Sequence, residues 1–156
     1  VFNVKGRRMN KISAVVTSVE DMGIVTYITL QVGETDIKII KSKAPTWLQA
    51  GDLVYFTFQE FSVCVGKACN GKVSIENRIP AVLSSVRKNH SLCELTFDSK
   101  IGEVVSLMTQ SAFEELELED GYKATILLRE IDIDLEPYIE PGILESFMNT
   151  RTKVAN

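Results

Sequence analysis

One ten-residue stretch is written twice in this chain, and nothing else in the sequence restricts the fold as strongly. Residues 10–19, NKISAVVTSV, return at 77–86 as NRIPAVLSSV, where Ser13 to Pro80 is the single change that is not conservative. The same offset of 67 positions lays residues 25–30 over 92–97. It becomes 70 where residues 51–58 lie over 121–128, so the second copy carries a net insertion of three residues. A repeat this close means one small supersecondary unit used twice. Units of under 70 residues bury a modest fraction of their surface, so the two copies are expected to pack on one another or on a partner.

Alternation of apolar and polar residues predicts strands throughout. Ile12, Ala14 and Val16 share one face of a first strand. Residues 24–32 form a second, and Ile37 and Ile39 open a third after the turn at 33–36. A last strand is expected from Gly51-Asp52 through Val54, Phe56 and Phe58 and on to Val63 and Val65. In the second copy Thr109 stands as N-cap before Phe113 and Leu116, which predicts a short helix; the first copy has Pro45 in that region, which predicts only a turn. Residues 66–73 read as the linker between copies, and residues 1–9 as a leader or appended remnant. Residues 141–148 read as an amphipathic helix with Ile143, Leu144, Phe147 and Met148 on one stripe, and 149–156 as a polar tail. Short strands in this order, with a helix late in the order of the second copy, suit an all-β chain of two tandem OB-like Greek-key barrels over 10–65 and 74–135, followed by a helix and tail at 136–156.

Composition narrows the function classes. A formal net charge of −4 disfavours a sequence-independent nucleic-acid binder, although Tyr55 and Phe61 could serve as stacking platforms. No apolar run reaches the length of a membrane span. Cys64, Cys69 and Cys93 form no C-x-x-C pair and have no histidine at ligand spacing, so reduced thiols are expected rather than zinc or a disulfide framework. His90 sits in a polar turn and reads as a solvated loop residue. No nucleophile with its base, phosphate loop or metal cluster stands out, and an enzyme is the least supported class.

Ser74-x-x-Asn77-Arg78-Ile79-x-Ala81-x-Leu83, the segment running from Thr109 through Glu114-Glu115-Leu116 to Gly121, and the strand that opens at Gly121 resemble, in that order, the tandem form of the molybdate-binding Mop domain, also called TOBE. The resemblance implies a non-enzymatic cytoplasmic domain that binds molybdate or tungstate, as a storage protein or as part of a molybdate-responsive regulator or transporter ATPase. It carries oxyanion-binding roles onto Ser74, Asn77, Thr109 and Arg129; outside the family pattern, Lys41, Ser42 and Lys43 of the first copy offer replacement donors. A dianion of this kind needs converging N–H, hydroxyl and cationic donors. Against that pattern, Glu76 stands where the family has Arg, Glu130 where it has Ser, Gln59-Glu60 where it has Lys-Ser, and Met9 where it has Arg. A carboxylate in contact with the anion repels it.

Two roles therefore remain open at this point: an oxyanion binder for storage or control of uptake, or a regulatory or protein-interaction module that keeps the fold without the anion. Asn10 and Asn77 have an equally simple structural reading, as turn residues that serve the backbone. Arg129 beside Glu130 also reads as an exposed strand pair, and Lys41 and Lys43 as solvated side chains. Small barrels with exposed edges further predict a homo-oligomer.

Overall fold

The computed structural model describes residues 8–67 and 71–140. The expected helix at 141–148, the tail beyond it, Cys69 and residues 1–7 lie outside the described residues. The first half forms β1 (Met9–Asp21), β2 (Thr26–Val32), β3 (Thr35–Lys41) and β4 (Leu53–Gln59), then a 3-10 turn (Glu60–Ser62) and β5 (Cys64–Gly66). The second half repeats the order as β6 (Asn77–Asn89), β7 (Leu92–Ser99), β8 (Gly102–Thr109), helix α1 (Gln110–Leu116) and β9 (Lys123–Leu128), with a 3-10 turn (Glu130–Asp132) before β10 (Asp134–Pro137).

These strands make two five-stranded sheets, ordered β10-β4-β1-β2-β3 and β5-β9-β6-β7-β8. Every pairing is antiparallel. Each sheet therefore takes its outermost short strand from the other half of the chain. Cys64 pairs with Leu127 in the second sheet, and Asp134 pairs with Thr57 in the first.

The long first strand of each half serves two neighbours because it bends. β1 pairs with β4 over residues 9–15 and with β2 over residues 15–21, and its register with β2 slips between Val16 and Ser18. Thr17 is the extra residue of this β-bulge, and its hydroxyl donates to the Thr29 carbonyl at 3.1 Å. β6 slips at the matching place, between Leu83 and Ser85, where the Ser84 hydroxyl donates to the Thr96 carbonyl at 2.9 Å. The repeated sequence thus encodes the bend and the hydroxyl that supports it.

The alternation expected to run unbroken from Val54 to Val65 is interrupted. Val54, Phe56 and Phe58 point inward on even positions, Glu60 is the next, and Val63 then resumes burial on an odd one. A strand has a side-chain period of two, so a change of parity requires a break. The break is the 3-10 turn, after which the chain crosses to the other sheet. The same change occurs between Leu128 and Ile133, around the turn at Glu130–Asp132.

Phe56, Phe58, Ile28 and Ile39 from the first half join Ile79, Leu83, Leu95, Phe97 and Ile126 from the second in one continuous buried cluster. Fully burying one such side chain contributes about 1.5–3 kcal/mol, so this shared core binds the halves into one unit. Thr109 caps α1 by accepting the Ala112 N–H at 3.1 Å, and the Pro45 region forms turns without a helix, both as the sequence predicts. His90 lies exposed in the β6–β7 turn with φ 55°. No helix among the described residues is long and apolar enough to cross a membrane.

Candidate functional site

The two repeated asparagines join the halves. Asn10 Nδ2 donates to the Val105 carbonyl at 2.9 Å, while its Oδ1 accepts the Val105 N–H at 2.9 Å. Asn77 Oδ1 accepts the Lys38 N–H at 2.7 Å, and its Nδ2 donates to the carbonyls of Lys38 at 2.8 Å and Leu128 at 3.1 Å. Each amide mimics a strand neighbour for a residue on the third strand of the opposite half. Both side chains are buried, Asn77 at 2% exposure. Both amide protons of Asn77 are thus committed to backbone carbonyls, and the side chain has no donor left for an anion.

Two equivalent corners follow, because β3 packs against the 3-10 turn at Glu130–Asp132 and β8 against the one at Glu60–Ser62. The first corner holds Arg8, Glu60 and Glu94. The Arg8 guanidinium reaches Glu60 at 2.8 Å and Glu94 at 2.5 Å, and Glu60 is only 1% exposed. Burial pushes the Glu60 carboxyl above the usual carboxylate range, and Arg8 opposes that rise.

The second corner holds Tyr27, Glu76 and Glu130. The Tyr27 hydroxyl donates to the Glu76 carboxylate, and the Glu76 N–H donates to the Glu130 carboxylate at 2.5 Å. Partial burial, then the bond to Glu76 and the nearby carboxylates, push the Tyr27 phenol up to about 12. The Lys38 ammonium lies 5.8 Å from the Tyr27 ring centroid and 3.3 Å from the Thr29 hydroxyl. A further anion placed here would meet a repulsion of about 4 kcal/mol for each pair of unit charges at about 4 Å, taking a near-surface dielectric. Glu76 and Glu130 together make this corner disfavour an anion.

The residues singled out from the sequence do not form one cluster. Ser74 is exposed on the bend before β6. Arg129 makes a paired bond to Asp132, Nε to Oδ2 at 2.9 Å and a second at 3.2 Å, which raises its pKa further. Thr109 is engaged in capping at the end of β8, on the side of the first corner. Lys41 ends β3 on the other side and pairs with Asp134 of β10 at 2.5 Å, with Ser42 exposed beside it.

A cleft of about 330 Å³ opens at that junction, lined by Lys41, Lys43, Pro45, Asp134 and Leu135. One wall belongs to the link after β3 and the other to the strand received from the second half. Two cationic side chains on one concavity form a setting for a small anion, and Asp134 is its internal counter-charge. Arg8, Tyr27 and Asp134 escape the sequence reading. Arg8 directly precedes the repeated strand, which is a usable signal, whereas nothing local marks Asp134 as the neighbour of a lysine 93 positions away. Tyr55, a possible stacking platform, lies 4.9 Å from the Tyr138 ring and beneath the Lys11 ammonium. Among the described residues no group of three His, Cys, Asp or Glu is arranged to hold a metal.

No protein-family model and no curated protein matches this chain. Among solved structures it is similar to the cytoplasmic molybdate-binding protein ModG in a crystal form with molybdate bound, with a TM-score of 0.76 over 83% of this chain and 96% of that one. The sequences are 18% identical across the match, so what the likeness shows is the fold: this chain is built as ModG is built.

Proposed function

We propose that this chain is a cytoplasmic, non-enzymatic oxyanion-binding protein of the molybdate or tungstate class, serving storage or the regulation of uptake. In this reading residues 10–65 and 74–135 are two Mop/TOBE-like units of OB type, and the anion sits at their junction. The observation that carries it is the cleft where Lys41 and Lys43 face a strand from the other half, on a fold shared with a molybdate-bound protein. Two ammonium groups balance a tetrahedral dianion, and the Ser42 hydroxyl stands next to them in sequence. Homo-oligomerisation, and contact with a molybdate transporter or regulator, belong to the same reading. Calorimetric titration with molybdate, tungstate and sulfate tests it. Binding of molybdate and tungstate together, weakened by Lys41→Ala and Lys43→Ala, is the expected result; heat-silent titrations at millimolar anion would overturn it.

The second reading, an interaction module without the anion, is favoured by the Tyr27–Glu76–Glu130 corner. There carboxylates occupy the positions at which the resembled family holds Arg and Ser. A chain that binds no oxyanion and yet loses a protein partner on Glu76→Arg would fit that reading.

A further inference from the structure

Resting on the oxyanion reading, we infer that Asp134 is a tethered competitor for the Lys41–Lys43 cleft, an internal carboxylate that a dianion must displace and that raises the apparent dissociation constant. Lys41 Nζ is held by Asp134 Oδ1 at 2.5 Å, and both residues line the cleft. The carboxylate supplies one negative charge to a cleft lined by two lysines. A tetrahedral dianion supplies two, so exchange of the carboxylate for the dianion improves the charge balance.

The geometry allows this exchange without unfolding the junction. Ile133 is fully buried and Leu135 packs against the core, so the backbone on both sides of Asp134 is fixed. Asp134 pairs with Thr57 and Leu135 with Phe56 through the backbone ladder, whatever the Asp134 side chain does. The Lys41 backbone is likewise held opposite Thr26. Only side chains need to move. The Asp134 side chain is 68% exposed, so it can turn into water, and an exposed ion pair of this kind is weak. A competitor anchored on the strand that the second half contributes also makes the site sensitive to how the two halves are joined.

Titration of molybdate into the full chain and into two variants tests the inference. Asp134→Asn should tighten molybdate binding about three- to tenfold, the gain from releasing a weak competitor and its repulsion. Glu136→Gln serves as the control. It lies on the same strand, raises the net charge by the same amount and pairs with Lys11 at 3.0 Å rather than with the cleft. It should change the affinity less than about twofold. Unchanged or weaker binding by Asp134→Asn, or equal tightening by both variants, overturns the competitor while the oxyanion site still stands on its lysine dependence. No molybdate binding by either at millimolar concentration removes the oxyanion reading and the competitor together.

Discussion

The corner around Arg8 and the corner around Tyr27 occupy equivalent places in the repeat yet hold their charges in opposite ways. In the first, a guanidinium lies between Glu60 and Glu94, and the turn carboxylate is sealed from water. In the second, Glu76 and Glu130 face a phenol, and the structure retains a proton there. Backbone, bulge and asparagine bridge are shared; the side chains that decide which ion is tolerated are not. Duplication preserved the frame while the charge at its two ends diverged.

The shared part should show the largest effects. Asn77→Ala leaves the N–H and carbonyl of Lys38 and the carbonyl of Leu128 without the side-chain partner they now have, and unsatisfied buried groups cost about 1–3 kcal/mol each. A loss of about 3 kcal/mol is expected in urea unfolding, with about 2 kcal/mol for Asn10→Ala, which breaks two bonds instead of three. Losses below about 1 kcal/mol would mean that the asparagines do not join the halves.

Next comes the difference between the corners. Glu60→Ala removes a buried partner of Arg8 and should cost about 2 kcal/mol, reduced from the value for a fully buried pair because Glu94 still holds the guanidinium. Glu130→Ala removes a partly exposed acceptor and should cost under about 1 kcal/mol. The sign of the pH effect follows from burial. A folded-state carboxyl pKa raised above its unfolded value stabilises the fold below the ordinary carboxylate range, and that contribution is lost as pH rises through the folded value. Glu60→Gln, neutral and of the same shape, should therefore show less loss of stability than the parent as pH rises from the acid side of that range. A parallel pH profile would show that burial of the charge is unimportant.

Much of this frame was legible in the sequence because a repeat reports its own register. Strands, the capped helix at Thr109 and the bare turn near Pro45 could be placed from local pattern. The crossing strands could have been seen in the parity change between Phe58 and Val63, but alternation read as one run hides it. The site was less legible. Lys41 and Asp134, or Tyr27 and Glu76, meet only because the halves interlock, and no local pattern records contacts over such separations. Asn77 had a second meaning that the residue type alone leaves open, and its partner on β3 decides it.

Smaller effects refine the contrast. Burial first, and then the bond to Glu76, push the Tyr27 phenol up to about 12, so the stability that the protonated phenol contributes is full below pH 10 and is lost as pH rises from 10 to about 12. Spectrophotometric titration should show one phenol fewer in the highest step for Tyr27→Phe, and Glu76→Gln should bring Tyr27 part of the way down toward 10, with burial holding the rest. A Tyr27 step that does not respond to Glu76 would separate the two residues. The smallest effect is expected at Arg129, because Asp132 already occupies its guanidinium: Arg129→Ala should alter molybdate affinity by less than about threefold.

Calorimetric titration of molybdate into the parent and the Lys41→Ala/Lys43→Ala double variant tests most directly where the anion binds. Loss of two charge-assisted partners, each worth about 1.5–3 kcal/mol, predicts at least a hundredfold weaker binding in the variant. Equal affinity in the two proteins, with both folded, would contradict the assignment and place the anion outside the cleft between β3 and β10.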